Sequence, residues 1–214
     1  MDAVNVLVLD GGGVRGLSSL LILRNLMEQL GRASPSEAVP RPCEVFDLIC
    51  GTSTGGLIAI MLGRLRMTVE DAINCYLRFS EGIFGNKRYF PWLRRLAGLA
   101  MYDASILEKH IKDIIADHGG DLNALLEEPV TGSTEYCRTF VVAISQSNAG
   151  NPPVLFRSYP PPHGVEALVG KCKIWEAARA TTAASTFFSP MTMGSPPQTF
   201  IVRVYFVCEP SDTP

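Results

Sequence analysis

The sequence predicts an α/β fold in which a mostly parallel sheet lies between helices, and two observations carry that expectation. A short apolar run, Val4–Leu9, ends in a glycine cluster and is followed by a helical apolar stripe. The unit then recurs as Val45–Cys50, a tight turn at Gly51–Gly55 and a second helical stretch, Leu57–Leu65. Short apolar runs bounded by turn signals fit buried strands. Strand–turn–helix units in succession build parallel sheets with helices packed on them.

The remaining elements follow from periodicity and punctuation. In Leu17–Leu30 the residues Leu20, Leu23, Met27 and Leu30 form one helical face. Gly31–Pro42 contains Pro35, Pro40 and Pro42 and is expected to be a surface loop. Thr68 followed by Asp71 resembles a capping box with Asp in place of the usual Glu, opening a helix that runs to about Phe79. Asp103 is a candidate cap for a helix that buries Leu107, Ile111, Ile114 and Ile115 and stops at Gly119-Gly120. Thr139–Ser145 and Val154–Tyr159 are strand-like, and Pro160-Pro161-Pro162 breaks the chain. Ile174–Ser185 is helical at its start, and Phe200–Val207 is strand-like again.

Bulk properties narrow the function classes. The chain has 214 residues, enough for one domain with a sizeable core, and nearly half are apolar, which is not a disordered composition. A formal net charge of -2 gives no electrostatic reason to expect nucleic acid as a partner. The Met1-Asp2-Ala3 start lacks a basic region, and no apolar run approaches the roughly 18 residues of a membrane span. The expectation is a soluble, cytoplasmic protein that meets membranes only peripherally. Six cysteines (Cys43, Cys50, Cys75, Cys137, Cys172 and Cys208) show no CxxC or Cys/His spacing, so buried free thiols are expected and a metal site is not.

Two loops carry chemistry. Gly51-Thr52-Ser53-Thr54-Gly55 matches G-x-S-x-G between an apolar strand and an apolar helix. That spacing lifts a serine hydroxyl clear of a sheet on a sharp strand-to-helix turn, with small residues where backbones must come close. Pattern and context fit either a nucleophile or a helix-capping serine in a structural turn. The first loop, Asp10-Gly11-Gly12-Gly13-Val14-Arg15-Gly16, also satisfies G-x-G-x-x-G. A dinucleotide site would need an acidic residue about 20 positions on, where the second strand instead runs into the serine turn. A P-loop is excluded because no Gly-Lys-Ser/Thr follows. The other readings are a plain tight turn and an anion-binding nest of Gly11, Gly12 and Gly13 amides at a helix N-terminus, with Arg15 in support.

Taken together, the two motifs resemble the patatin-like phospholipase family. Glu44–Gly63 is similar to that family's nucleophile segment. Ala178-Arg179-Ala180-Thr181-Thr182-Ala183-Ala184, leading to Phe187-Phe188, is similar to its Ala-Thr-Ser-Ala-Ala segment. The resemblance extends from about Val4 to Phe200 and implies a patatin-like three-layer fold. It also implies a lipid acyl hydrolase that uses a Ser–Asp dyad and a covalent acyl-enzyme, on phospholipid or neutral-lipid esters, with no metal or organic cofactor. Carried over by motif, Ser53 is the nucleophile, and Gly11, Gly12 and Gly13 form the oxyanion hole with Arg15 supporting it. Asp10, Gly16, Gly51 and Gly55 complete the motifs.

One part of the family pattern is absent. Its aspartate lies in Asp-Gly-Gly or Asp-Gly-Ala after a short hydrophobic strand. Here Phe200-Ile201 is followed by Val202-Arg203-Val204-Tyr205, and Asp212 precedes Thr213-Pro214 without matching. The expectation is an incomplete domain over 1–201, truncated at its C-terminus, and a divergent tail over 202–214. A translated intron explains the switch at Val202, since valine codons share GT with intron starts; a short isoform or a decayed copy are the rivals. A catalytically impaired remnant or scaffold of the fold is therefore the alternative function.

Other candidates are weaker. A Ser-His-Asp order is available through His163, but Pro160-Pro161-Pro162-His163-Gly164 reads as an exposed loop. His110 falls within a helix and His118 at a helix end. Asn86–Met101 interleaves Lys87, Arg88, Arg94 and Arg95 with Tyr89, Phe90, Trp92 and Leu93, which fits a lipid interface or a segment whose aromatics are core.

Overall fold

Two strand-to-helix corners at the end of the parallel part of a mixed sheet dominate the architecture. The computed structural model describes residues 3–35, 37–84, 102–128, 136–146, 153–161, 171–184 and 187–202. Strand β1 (Val6–Leu9) leads through a short 3-10 turn at Gly13–Arg15 into helix α1 (Gly16–Ala33). A one-turn helix, α2 (Pro42–Val45), precedes β2 (Leu48–Thr52), so the second strand starts later than its apolar run. Pro42 sits at the first helical position, where its missing N–H costs nothing.

Helix α3 (Thr54–Ala59) follows β2 and continues as a π-helical stretch, Ile60–Arg64. Every residue from Thr54 to Gly63 is buried, which makes this the central helix of the core. Burying each of its Leu, Ile and Met side chains contributes about 1.5–3 kcal/mol. The element that carries the serine turn is thus among the most firmly held in the fold.

Helix α4 (Val69–Phe84) opens as expected, with the Asp71 N–H donating to Thr68 Oγ1 at 3.1 Å and the Thr68 hydroxyl donating to Asp71 Oδ2 at 2.7 Å. It runs past Phe79, because Ile83 is also buried and extends the apolar face by a turn. Helix α5 (Ala104–Gly119) is capped by Asp103, whose Oδ1 accepts from the Ser105 N–H at 2.9 Å. Its Leu107, Ile111, Ile114 and Ile115 are buried, and it ends where Gly120 takes φ +80°. Helix α6 (Ile174–Thr181) is the last helix among the described residues.

Strands β1, β2 and β3 (Arg138–Ser145) pair in parallel, with Leu9 opposite Gly51 and Thr52 opposite Val142. The far edge of β3 is divided between two antiparallel neighbours. Its Phe140–Ala143 part pairs with β4 (Val154–Arg157), and Ile144 and Ser145 pair with β6 (Gln198–Ile201). A three-residue strand, β5 (Met191–Met193), completes a hairpin with β6. Along β3 the residues Thr139, Val141, Ala143 and Ser145 are buried while their alternates are not, the period of a strand with one face on the core.

Cys50, Cys75, Cys137 and Cys172 are buried free thiols and Cys43 is a half-buried one. Burial pushes Cys137 and Cys172 up to about 12, so both stay neutral at physiological pH. Among the described residues no helix is long and apolar enough to cross a membrane.

Candidate active site

The register that sets Leu9 beside Gly51 brings both loops out of the sheet at the same level. They then pack backbone against backbone. A Cβ at Gly55 would overlap the Leu9 carbonyl oxygen and lie 2.5 Å from that of Asp10. A Cβ at Gly11 would lie 2.8 Å from Ser53 Cβ and 3.5 Å from its Oγ. Real Cβ atoms do not approach so closely, so glycine at Gly11 and Gly55 is what lets the two turns touch.

Ser53 occupies the turn itself, with φ 57° and ψ −130°. This is a left-handed conformation that costs a non-glycine residue about 1–3 kcal/mol and persists only where the surroundings enforce it. Three hydrogen bonds do so. The Leu57 N–H donates to the Ser53 carbonyl at 3.0 Å, the Ser53 N–H donates to Thr181 Oγ1 at 3.0 Å, and the Thr181 hydroxyl donates to the Val142 carbonyl at 2.8 Å. Ser53 is half-buried, and its Oγ has no hydrogen-bond partner among the described residues.

The glycine loop lies beside this hydroxyl and runs into the N-terminus of α1, where the helix dipole is positive. Gly13 adopts φ +55° and its carbonyl accepts from the Tyr76 hydroxyl. Burial is the main influence on that phenol and pushes its pKa up, against hydrogen bonds with Thr54 and the Gly16 backbone, so Tyr76 remains a protonated donor. The Gly12 N–H is already engaged, donating to Thr54 Oγ1 at 3.1 Å. Among the described residues the Gly11 and Gly13 amides have no hydrogen-bond partner. Asp10 and Arg15 are exposed, and neither side chain makes a hydrogen bond or ion pair among the described residues.

The structure thus brings Ser53, Gly11, Gly12, Gly13, Gly51 and Gly55 together. Gly16 lies just behind, packed on the Tyr76 hydroxyl. His110 packs instead against Gly82, and His118 Nδ1 lies 4.0 Å from Cys75 Sγ; both contacts are between α4 and α5. His163, Asp212 and the Asn86–Met101 segment lie outside the described residues. Among the described residues, no group of three or more His, Cys, Asp or Glu side chains is placed to hold a metal ion.

Thr54, Gly56 and Tyr76 carry no advance signal in the sequence as site residues, and Thr181 carries only a weak one. Thr54 stands at a variable place of G-x-S-x-G, and Tyr76 belongs to the apolar stripe of α4. Thr181 lies in the Ala-Thr segment, which is the one clue that this stretch approaches the serine.

The sequence profile of the patatin-like phospholipases matches residues 7–205, nearly the whole chain. The chain belongs to the patatin-like phospholipase family. Several relatives carry the same name in part. The chain is 30% identical to the calcium-independent phospholipase A2-gamma of Mus musculus over 90% of its length and 23% of the relative's. It is 28% identical to phospholipase A I of Arabidopsis thaliana over 91% of its length and 18% of the relative's. With the cGAMP-activated phospholipase of Vibrio cholerae it shares 30% identity over 88% of its length and 50% of the relative's. This patatin-like chain therefore spans between about a fifth and a half of the length of the relatives it matches.

In that family context β6 draws attention. It ends at Ile201, and the next residue, Val202, bridges to Ala184 and donates its N–H to the Ala183 carbonyl at 2.8 Å. Ala183 is two residues beyond Thr181, so one short segment touches both Ser53 and Val202. Val202 is apolar and 6% exposed.

The backbone contact between the corners is open to test. Gly55→Ala is expected to lower unfolding stability by about 2–3 kcal/mol, because both atoms it meets are main-chain carbonyls that cannot rotate away. Chemical denaturation checks this, and wild-type stability counts against the contact.

Proposed function

We propose that this chain is a lipid acyl hydrolase with Ser53 as its nucleophile. The observation that carries the reading is a strained serine turn lying directly against Gly11 at a helix N-terminus. Family membership and phospholipase-named relatives support a fatty-acyl ester of a phospholipid or neutral lipid as substrate. The reaction calls on no metal or organic cofactor, and contact with a membrane surface is how such a substrate is reached.

Ser53 Oγ attacks the ester carbonyl carbon, and the carbonyl electrons move onto its oxygen. The Gly11 and Gly13 amides, and Gly12 once released from Thr54, stabilise that oxyanion; one such donor is worth roughly 10²–10³ in rate. Collapse of the intermediate breaks the bond to the alcohol, which leaves with a proton, and Ser53 keeps the acyl group. Water then attacks the acyl-enzyme and releases the fatty acid. The serine proton passes to water, which returns a proton to the leaving alcohol; a general base in that place contributes about 10²–10⁴. Treatment with a fluorophosphonate is expected to label the folded protein at Ser53, with labelling lost in Ser53→Ala. Equal labelling of the two proteins counts against Ser53 as nucleophile.

Val202 favours the second reading, an impaired remnant or scaffold. The resemblance sets the family's aspartate at this position, and an apolar valine accepts no proton. In the remnant reading the oxyanion machinery persists and the base does not, leaving a slow serine. Val202→Asp is then expected to raise the labelling rate of folded protein by about 10²–10⁴. A folded Val202→Asp variant with the wild-type rate contradicts the assignment of position 202 to the missing base.

A further inference from the structure

We infer that Thr181 is the positioning residue that keeps the Ser53 turn in its reactive shape, an inference that rests on Ser53 being the nucleophile. The β2–β3 ladder ends at Thr52 opposite Val142. Beyond it, the Ser53 N–H and the Val142 carbonyl do not meet each other. The Thr181 hydroxyl stands between them, accepting from the first at 3.0 Å and donating to the second at 2.8 Å. A side-chain oxygen therefore takes the place of a ladder rung and holds the end of β2 away from β3. That spacing coincides with the residue whose φ is 57° and ψ −130°.

The threonine itself has little freedom. It is fully buried, and a Cβ at Gly56 would lie 2.7 Å from its Oγ1 and 2.8 Å from its Cγ2. Both branches of the side chain are thus seated against the first turn of α3. The backbone that presents it is anchored on each side. Thr182 Oγ1 donates to the Ala178 carbonyl at 2.8 Å, and Arg179 Nη2 donates to the Ser189 carbonyl at 2.6 Å.

Without the hydroxyl, two half-buried main-chain groups either lose their partner or close on each other, and closure pulls Ser53 toward β3 and off the Gly11 side. Thr181 touches no reacting atom in this scheme. Its effect is geometric, so it falls on the rate of acylation rather than on lipid binding. Misplacement of a reacting group by about 1 Å can cost roughly 10²-fold in rate.

The test compares Thr181→Val, which keeps the shape without the hydroxyl, with Thr181→Ser, which keeps the hydroxyl without the methyl. The measurements are the rate of fluorophosphonate labelling at Ser53, kcat and KM on a soluble p-nitrophenyl acyl ester, and the thermal midpoint. Thr181→Val is expected to lose about 10²-fold in labelling rate and kcat with KM within about twofold, while Thr181→Ser stays within about threefold of wild type. A purely structural role lowers the thermal midpoint and leaves the rate per folded molecule unchanged. Wild-type labelling by folded Thr181→Val, or an equal loss in Thr181→Ser, overturns the inference. Should Thr181→Val fail to fold, Gly56→Ala displaces the same hydroxyl and is expected to show the same kcat-selective loss; a wild-type rate in Gly56→Ala overturns it as well. If the wild-type protein is not labelled at Ser53, the nucleophile assignment falls first and takes this inference with it.

Discussion

The site depends on a contact between main chains, Gly55 against the carbonyl oxygens of Leu9 and Asp10. Side chains are adjustable, but two backbones can touch only where neither carries a Cβ. Once β1 and β2 pair in register, this contact fixes the distance between the two corners. The hydroxyl of one then lies beside Gly11 of the other. The buried α3 behind the contact and the α1 N-terminus above it supply rigidity and polarity in turn.

Hydroxyl groups secure that arrangement. Thr54 ties the glycine loop to the serine turn, Thr181 ties the serine turn to β3, and Tyr76 holds the Gly13 carbonyl from below. Each is buried or nearly so, and each satisfies a main-chain group that a loop or strand end leaves unpaired. The Thr181 bonds, with that of the Leu57 N–H to the Ser53 carbonyl, offset the cost of the Ser53 conformation, about 1–3 kcal/mol. Under the proposed acyl-hydrolase mechanism these bonds preorganise the oxyanion side, whereas the apolar Val202 side chain accepts no proton.

The sequence disclosed what local chemistry imposes. Thr68 and Asp103 announce their helices because their side chains satisfy N–H groups a few residues away. Gly11, Ser53 and Gly55 are legible because strand, turn and helix are contiguous there. Long-range pairing leaves weaker marks. The division of β3 between β4 and β6, and the three-residue β5, follow from tertiary packing that no short window contains. Thr181 and Tyr76 lie 128 and 63 residues from their site partners, and nothing local in either segment requires those bonds. Pro42 shows the reverse case, a proline read as loop that instead starts a helical turn.

The most direct measurement is a crystal structure of the phosphonylated protein. The expected result is phosphorus bonded to Ser53 Oγ, with its non-bridging oxygen within hydrogen-bonding distance of the Gly11 and Gly13 amides. An adduct on another residue, or a phosphonyl oxygen turned away from the glycine loop toward solvent, contradicts the pairing of the two corners as a single acyl-transfer site.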